Sequence, residues 1–298
     1  MFTHQLKKKI INKLIYWSRV FLSDSAYLKL KFRYSVGYKL NLSNPHSYNE
    51  KLQWLKLHDI HPEYQNMVDK IDAKNYVADI IGKEYIIPTI ATFNCVDDID
   101  FEMLPNQFVL KCTHDSGGIV VCKDKSTLNI EEAKRKLSKG WKNNYYKYNL
   151  EYPYKNIKPR IIAEKYMEDE TGELRDYKFF CFNGTPQLLF VATDRGKTNT
   201  ETKFDFFDLD WNHLPFTNGH PNNEITIPKP QNFDLMIDIA AKLSQGIPHI
   251  RIDLYNISGK IYFGEMTFFH WSGMTPFNPQ IWDYKLGELI ILPNDMNC

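Results

Sequence analysis

Residues 249–273 read HIRIDLYNISGKIYFGEMTFFHWSG, two alternating apolar runs on either side of a Ser258–Gly259 turn. Successive side chains of a strand point to opposite faces, so Arg251 and Asp253 share one side while Ile252 and Leu254 take the other. The same alternation places Ile261, Phe263, Glu265 and Thr267 on one side of the returning strand. Two acids on paired strands would then face one cavity beside Arg251. Like charges brought together there repel unless a cation bridges them. An all-oxygen donor set favours Mg2+, or Mn2+, over zinc. The competing reading is a cross-strand ion pair with Arg251.

Mg2+ on a protein is commonly completed by water and substrate phosphates, so a phosphate-binding element is expected elsewhere in the chain. The stretch FVLKCTHDSGGIVV, residues 108–121, offers one. Lys111 stands near a strand end, and Ser116, Gly117 and Gly118 form a turn whose amides could approach phosphate oxygens closely. Neither the glycine spacing nor a following helix fits a Walker loop or a dinucleotide fingerprint. Alone, such a turn reads as a hairpin connection.

The bulk composition leaves the signal to such local patterns. The chain has 298 residues, 43% hydrophobic and 24% charged, enough for two cooperating lobes or for one large domain. Lys plus Arg number 37 against 36 for Asp plus Glu, so no basic excess argues for a nucleic-acid partner. Cys95, Cys112, Cys122, Cys181 and Cys298 lack metal-ligand spacing and read as reduced thiols of a cytoplasmic protein. No apolar run is long enough to span a bilayer. In residues 5–22, lysines alternate with Ile10, Ile11, Leu14, Ile15, Trp17, Val20 and Phe21. Such a helix either packs on the core or a partner or lies on an anionic membrane at the inner face of the cell membrane. Lys13 and Arg19 interrupt the stretch and argue against a secretory signal.

Along the chain, residues 1–60 read as a helical segment in which Ser47 and Glu50 form a capping box. Ile71, Val77, Ile80 and Ile81 suggest a helical stripe that Gly82 stops. Short strands follow over 85–125. Asn129 then caps a helix that Gly140 is expected to close. Residues 141–160 show no clear period and read as an ordered surface connection. RIIAEKYM resumes strand character, DYKFFCFNGTPQLLFVATD is a hairpin turning at Asn183–Gly184, and DRGKTNTETK reads as mobile or ligand-facing. Phe233, Met236, Ile237, Ala240 and Leu243 line one side of a helix that Gly246 ends. His114 and His270 have no partner visible in the sequence. Trp271 could stack on a sugar or simply pack.

The order of NPHSYNEKLQWLKLHD, DKIDAKNYV, IGKEYIIP, FVLKCTHDSGG, RIIAEKYM, DYKFFCFNG and RIDLYNISGKIYFGEMTF resembles the TupA-like, teichuronopeptide-biosynthesis-type branch of the ATP-grasp superfamily. That resemblance implies an α+β ATP-grasp fold in which two lobes enclose a nucleotide cleft. It divides the chain into a helical segment over 1–60, a smaller unit with the phosphate loop over 61–163 and a C-terminal lobe over 164–298. It also implies that Lys111 and the Ser116–Gly118 loop hold ATP phosphates. Glu164 would meet the adenine amino group, the backbones of Lys165 and Met167 its edge, and Glu168 or Asp169 the ribose. Asp253 and Glu265 would bind Mg2+, with Thr267 where the superfamily usually has Asn. Arg251 would steady the transferred phosphate, and Asp176 and Lys178 of the branch-specific DYKFF would lie near nucleotide or substrate.

These implications agree with elementary chemistry. A carboxylate is a poor acyl donor because oxide is a poor leaving group, and γ-phosphoryl transfer from ATP repairs that defect. Lys111, Lys178 and Arg251 would offset the redistributed charge, an amine would attack the acyl phosphate, and the glycine loop would exclude water. The expected activity is an ATP-dependent carboxylate-amine ligase joining an amino acid to a uronic-acid carboxylate of a cell-surface polysaccharide or its precursor. A kinase of the same fold and a non-catalytic nucleotide- or glycan-binding protein are the rivals.

Overall fold

Ser47 accepts a hydrogen bond from the Glu50 amide while Glu50 accepts from the Ser47 amide, each at 3.2 Å, and this box starts helix α3 (Tyr48–His58). The structure, a computed structural model, describes residues 2–169, 172, 174–194 and 200–293. Residues 195–199 of the DRGKTNTETK stretch, and Cys298, therefore lie outside the described residues. Before α3 come α1 (Phe2–Ser18) and α2 (Asp24–Val36); after it come α4 (Tyr64–Val68) and α5 (Asp72–Ile81). In α5 the buried positions are Ala73 and Val77, whereas Ile80 is exposed and Ile71 only caps the helix, so the stripe is narrower than its isoleucines suggest. Gly82 does end it, at φ 107°.

A four-stranded antiparallel sheet follows, with β1 (Thr89–Phe93), β2 (Phe108–Cys112), β3 (Ile119–Cys122) and β4 (Ile161–Lys165) in the order β1-β4-β2-β3. Phe108, Leu110, Cys112, Ile161 and Ala163 of this sheet pack on Leu137 of α6 (Ile130–Trp141). Gly140 lies inside α6 and does not close it, a correction with a packing cause. A Cβ there would come within 2.6 Å of the Gly118 Cα and 2.8 Å of the Asp115 carboxylate, so the glycine lets the helix touch the turn. The connection after α6 is also more than a surface tether: it contains α7 (Tyr145–Asn149), and Leu150, Glu151 and Pro153 are buried. β4 belongs to the small sheet along its whole length, so the 163/164 division falls within a strand.

The second sheet has the order β10-β9-β5-β6-β7, from β5 (Asp176–Phe182), β6 (Thr185–Thr193), β7 (Lys203–Asp208), β9 (His249–Ile257) and β10 (Lys260–Thr267). A short pair, β8 (Thr217–Asn218) with β11 (Phe277–Asn278), stands apart from it. Both hairpin turns have positive φ at their two central residues, Asn183–Gly184 and Ser258–Gly259, as tight hairpins with right-handed twist require. Helix α8 (Phe233–Leu243) buries Phe233, Met236, Ile239, Ala240 and Leu243 in the core of this sheet. Helix α9 (Ile281–Leu289) joins the N-terminal helices to the same core, its Asp283 accepting from the Asn49 amide and the Tyr38 hydroxyl at 2.9 Å each. His249 lies beneath, between the Tyr48 hydroxyl and the Cys181 carbonyl, and burial lowers its pKa to about 3.

Candidate active site

The register of β9 against β10 decides which acids meet. Phe263 pairs with Leu254, but a bulge at Gly264 shifts the ladder so that Glu265 pairs with Asp253 and Thr267 with Arg251. Ile261 and Phe263 therefore do not share a side with Glu265 and Thr267, contrary to simple alternation. Were Gly264 paired regularly instead of bulged, Glu265 would face the apolar side. Glycine suits the position because a Cβ there would lie 3.0 Å from the Asp253 carbonyl oxygen and 3.1 Å from the Tyr255 ring.

Strand β5 runs along the other edge of β9 and brings Lys178 directly opposite Asp253. Arg251 grips both Asp253 oxygens, donating from Nε to Oδ1 at 2.7 Å and from Nη2 to Oδ2 at 2.8 Å. The Lys178 ammonium also contacts Oδ2 and stands 3.4 Å from Asp176. Burial disfavours the Asp253 anion, but Arg251 and Lys178 outweigh it and hold its pKa below the usual carboxylate range. Burial likewise lowers the Lys178 pKa against the pull of Asp253. Thr267 donates to Glu265 at 3.1 Å and accepts from Arg251 at 3.1 Å.

His270 acquires the partners that the sequence could not show. Arg251 Nη1 donates to its Nδ1 at 2.7 Å, which leaves Nε2 to carry the proton toward Asn218 Oδ1 at 3.0 Å. Burial, then the charges of Arg251, His249 and Lys178, holds its pKa well below the ordinary value, so the neutral ring orients the guanidinium.

A second charged cluster forms on the small sheet. Glu164 of β4 receives Lys74 at 2.5 Å on Oε1 and Lys111 at 2.6 Å on Oε2. Burial alone would raise this carboxyl, but the two ammonium groups reverse the effect and bring its pKa to about 2. Lys74, on α5, was missed by sequence reasoning because only tertiary packing brings it to β4. At the end of β4, the Lys165 amide donates to the Pro88 carbonyl at 3.0 Å, and beyond it Met167 is half-buried. Glu168 accepts from the Tyr166 hydroxyl at 2.6 Å, and Asp169 from the Arg175 amide at 3.2 Å.

The glycine turn is internally satisfied in this state. Asp115 accepts from the Gly117 and Gly118 amides at 2.9 and 2.6 Å, so its carboxylate holds the donors expected to meet phosphate. The Asp-Ser-Gly order is an Asx-turn signature that could have revealed this. Ser116 shares a 2.5 Å hydrogen bond with Tyr145, whose ring centre lies 5.4 Å from that of Tyr154. Cavities of about 280 Å3, beside Arg175 and the Ser258–Gly259 turn, and of about 340 Å3, beside Tyr38 and Asp283, lie away from these carboxylates.

Asp253, Glu265 and Thr267 offer the oxygen donors a magnesium-type ion would take, provided Lys178 and Arg251, which holds both Asp253 oxygens, yield there. Among the described residues no group of three or more His, Cys, Asp or Glu side chains is placed to hold a metal, so phosphate and water would have to complete the shell.

A small antiparallel sheet carrying a lysine and a glycine turn, followed by a larger one with acids on its last hairpin, defines an α+β protein of the ATP-grasp fold. The chain belongs to the TupA-like ATP-grasp family, whose model matches residues 50–291. No curated protein matches it. Among solved structures it is similar to a D-alanine–D-alanine ligase from Helicobacter pylori, at 15% identity over 83% of this chain and 71% of that one, with a TM-score of 0.43. It is also similar to a D-alanyl-alanine synthetase A from Vibrio cholerae, at 13% identity over 81% and 68%, with a TM-score of 0.44. Against a Bacillus anthracis D-alanine–D-alanine ligase complexed with ATP the values are 14%, 68% and 0.39, and the chain spans 55% of that protein's length.

Proposed function

We propose that this protein is an ATP-dependent ligase that activates a carboxylate as its acyl phosphate and passes the acyl group to an amine. Membership of the TupA-like ATP-grasp family supports the nucleotide and the reaction class. The observation that carries the reading is the register placing Glu265 opposite Asp253, with Arg251 and Lys178 on the same buried face. Such a concentration of charge suits a site whose ligand brings both cation and anion. In this reading Asp253, Glu265 and Thr267 hold Mg2+, which when bound neutralises phosphate charge. Lys111, with Lys74 beside it, holds phosphate oxygens, and Ser116, Gly117 and Gly118 close over them once Asp115 releases its amides. Arg251, aimed by His270, steadies the phosphoryl group in transfer. Glu164 sets the two lysines and borders the adenine; Lys165 and Met167 offer backbone to its edge, and Glu168 or Asp169 reaches the ribose. Asp176 lies beside Lys178 near the reacting groups.

The substrates proposed are an amino acid and a uronic-acid carboxylate of a cell-surface polysaccharide or its precursor, with the reaction on the cytoplasmic side. The test is ADP and phosphate release across amino acids and uronic-acid acceptors. Release that requires both substrates, with an amide in the product, supports the ligase. Phosphate retained on a single acceptor assigns a kinase, and absence of turnover with retained nucleotide binding assigns a binding protein.

A further inference from the structure

Helix α1 meets the rest of the protein through one side. Ile15, 7% exposed, packs into a cluster with Tyr27, Leu28, Phe32, Leu40 and Leu150. At about 100° per residue, Leu6, Ile10, Leu14 and Trp17 fall within one arc on the side away from Ile15. That arc is bare: Leu14 is 64% and Trp17 57% exposed, and beyond the helix end Phe21 is 88% exposed. The apolar stripe is thus turned outward by the same packing that fixes the helix.

Exposed Lys7, Lys9 and Lys13 flank the stripe, and the first acid of the chain is Asp24. Arg19 does not join them, because it is drawn inward to the Tyr146 carbonyl at 2.9 Å. A second copy of the helix would set lysines against lysines with no acid to relieve them. An anionic lipid surface supplies both the missing negative charge and an apolar layer for the stripe. No described helix is long and apolar enough to cross a membrane, so the fitting geometry is a helix lying in the surface plane.

We infer that α1 docks this protein on an anionic membrane surface, Leu6, Ile10, Leu14, Trp17 and Phe21 entering the acyl boundary while Lys7, Lys9 and Lys13 meet headgroups. The inference is independent of the reaction proposed above. It is tested by floating the full chain with phosphatidylcholine vesicles with and without phosphatidylglycerol. The expected result is co-flotation with the anionic vesicles only, reversed by high salt. Leu14→Glu with Trp17→Glu, both at exposed positions, should lower the partition coefficient at least about tenfold, as should charge reversal of Lys7, Lys9 and Lys13. Absence of flotation, equal binding to neutral vesicles, or full binding by the Leu14→Glu/Trp17→Glu variant would overturn it. So would a dimer in light scattering that the same variant disperses, which would assign the stripe to a second copy.

Discussion

The ammonium of Lys178 rests on the Asp253 carboxylate, and both groups are buried. The cation therefore occupies a seat that a metal ion would have to claim. Lys178→Met should tighten Mn2+ binding in the presence of a nonhydrolysable ATP analogue by about tenfold, roughly 1.4 kcal/mol, while product formation falls. Electron paramagnetic resonance of free Mn2+ measures the first effect, and weaker metal binding would refute the competition.

Glu265 is only half-buried, and its side chain accepts from the Thr267 hydroxyl at 3.1 Å. Glu265→Ala should leave the free energy of unfolding within about 0.5 kcal/mol of the parent. Turnover in the proposed reaction should fall at least about a hundredfold if the carboxylate serves the metal. Full turnover in a folded variant would end the metal assignment.

His249 is held neutral in the core, with its pKa lowered to about 3 from an ordinary 6.5. The unfolded chain takes up a proton below about pH 6.5 that the folded chain refuses until about pH 3, so stability should rise with pH across that window. The full effect is bounded at about 5 kcal/mol at 1.36 kcal/mol per pKa unit. Urea unfolding at pH 7 and pH 4.5, compared with His249→Gln, isolates the contribution; an unchanged pH slope in the variant would refute it.

Gly140 touches the glycine turn through its missing side chain. Gly140→Ala should destabilise the protein by about 1–3 kcal/mol, as overpacking does, and expose the Ser116–Gly118 turn to protease. Unchanged denaturation and cleavage would show that the contact yields freely.

Much of the architecture was legible because it is local. Ser47 and Glu50 lie within one helical turn of each other, and the Asn183–Gly184 and Ser258–Gly259 turns carry their backbone requirement in their residue types. Alternation also put Arg251 and Asp253 on one face. The bulge at Gly264 was hidden because glycine in a strand does not announce which side gains the extra residue. Lys74 meets Glu164 only because α5, packed in the core of the larger sheet, lies close enough for this side chain to reach β4. The 141–160 stretch concealed a helix and a buried turn because its aromatic and polar residues satisfy no single period, their partners lying just after α1, on α2 and on the glycine turn.

The Gly264 bulge also limits how the last hairpin can vary in length. Adding or losing one residue between the turn and Phe263 would invert every later side chain of β10, sending the acid inward and an apolar neighbour into the charged face, whereas losing Gly264 itself would leave Glu265 opposite Asp253. Changes ahead of the bulge are tolerable only in pairs, so engineered grafts onto this hairpin must preserve parity before they preserve chemistry.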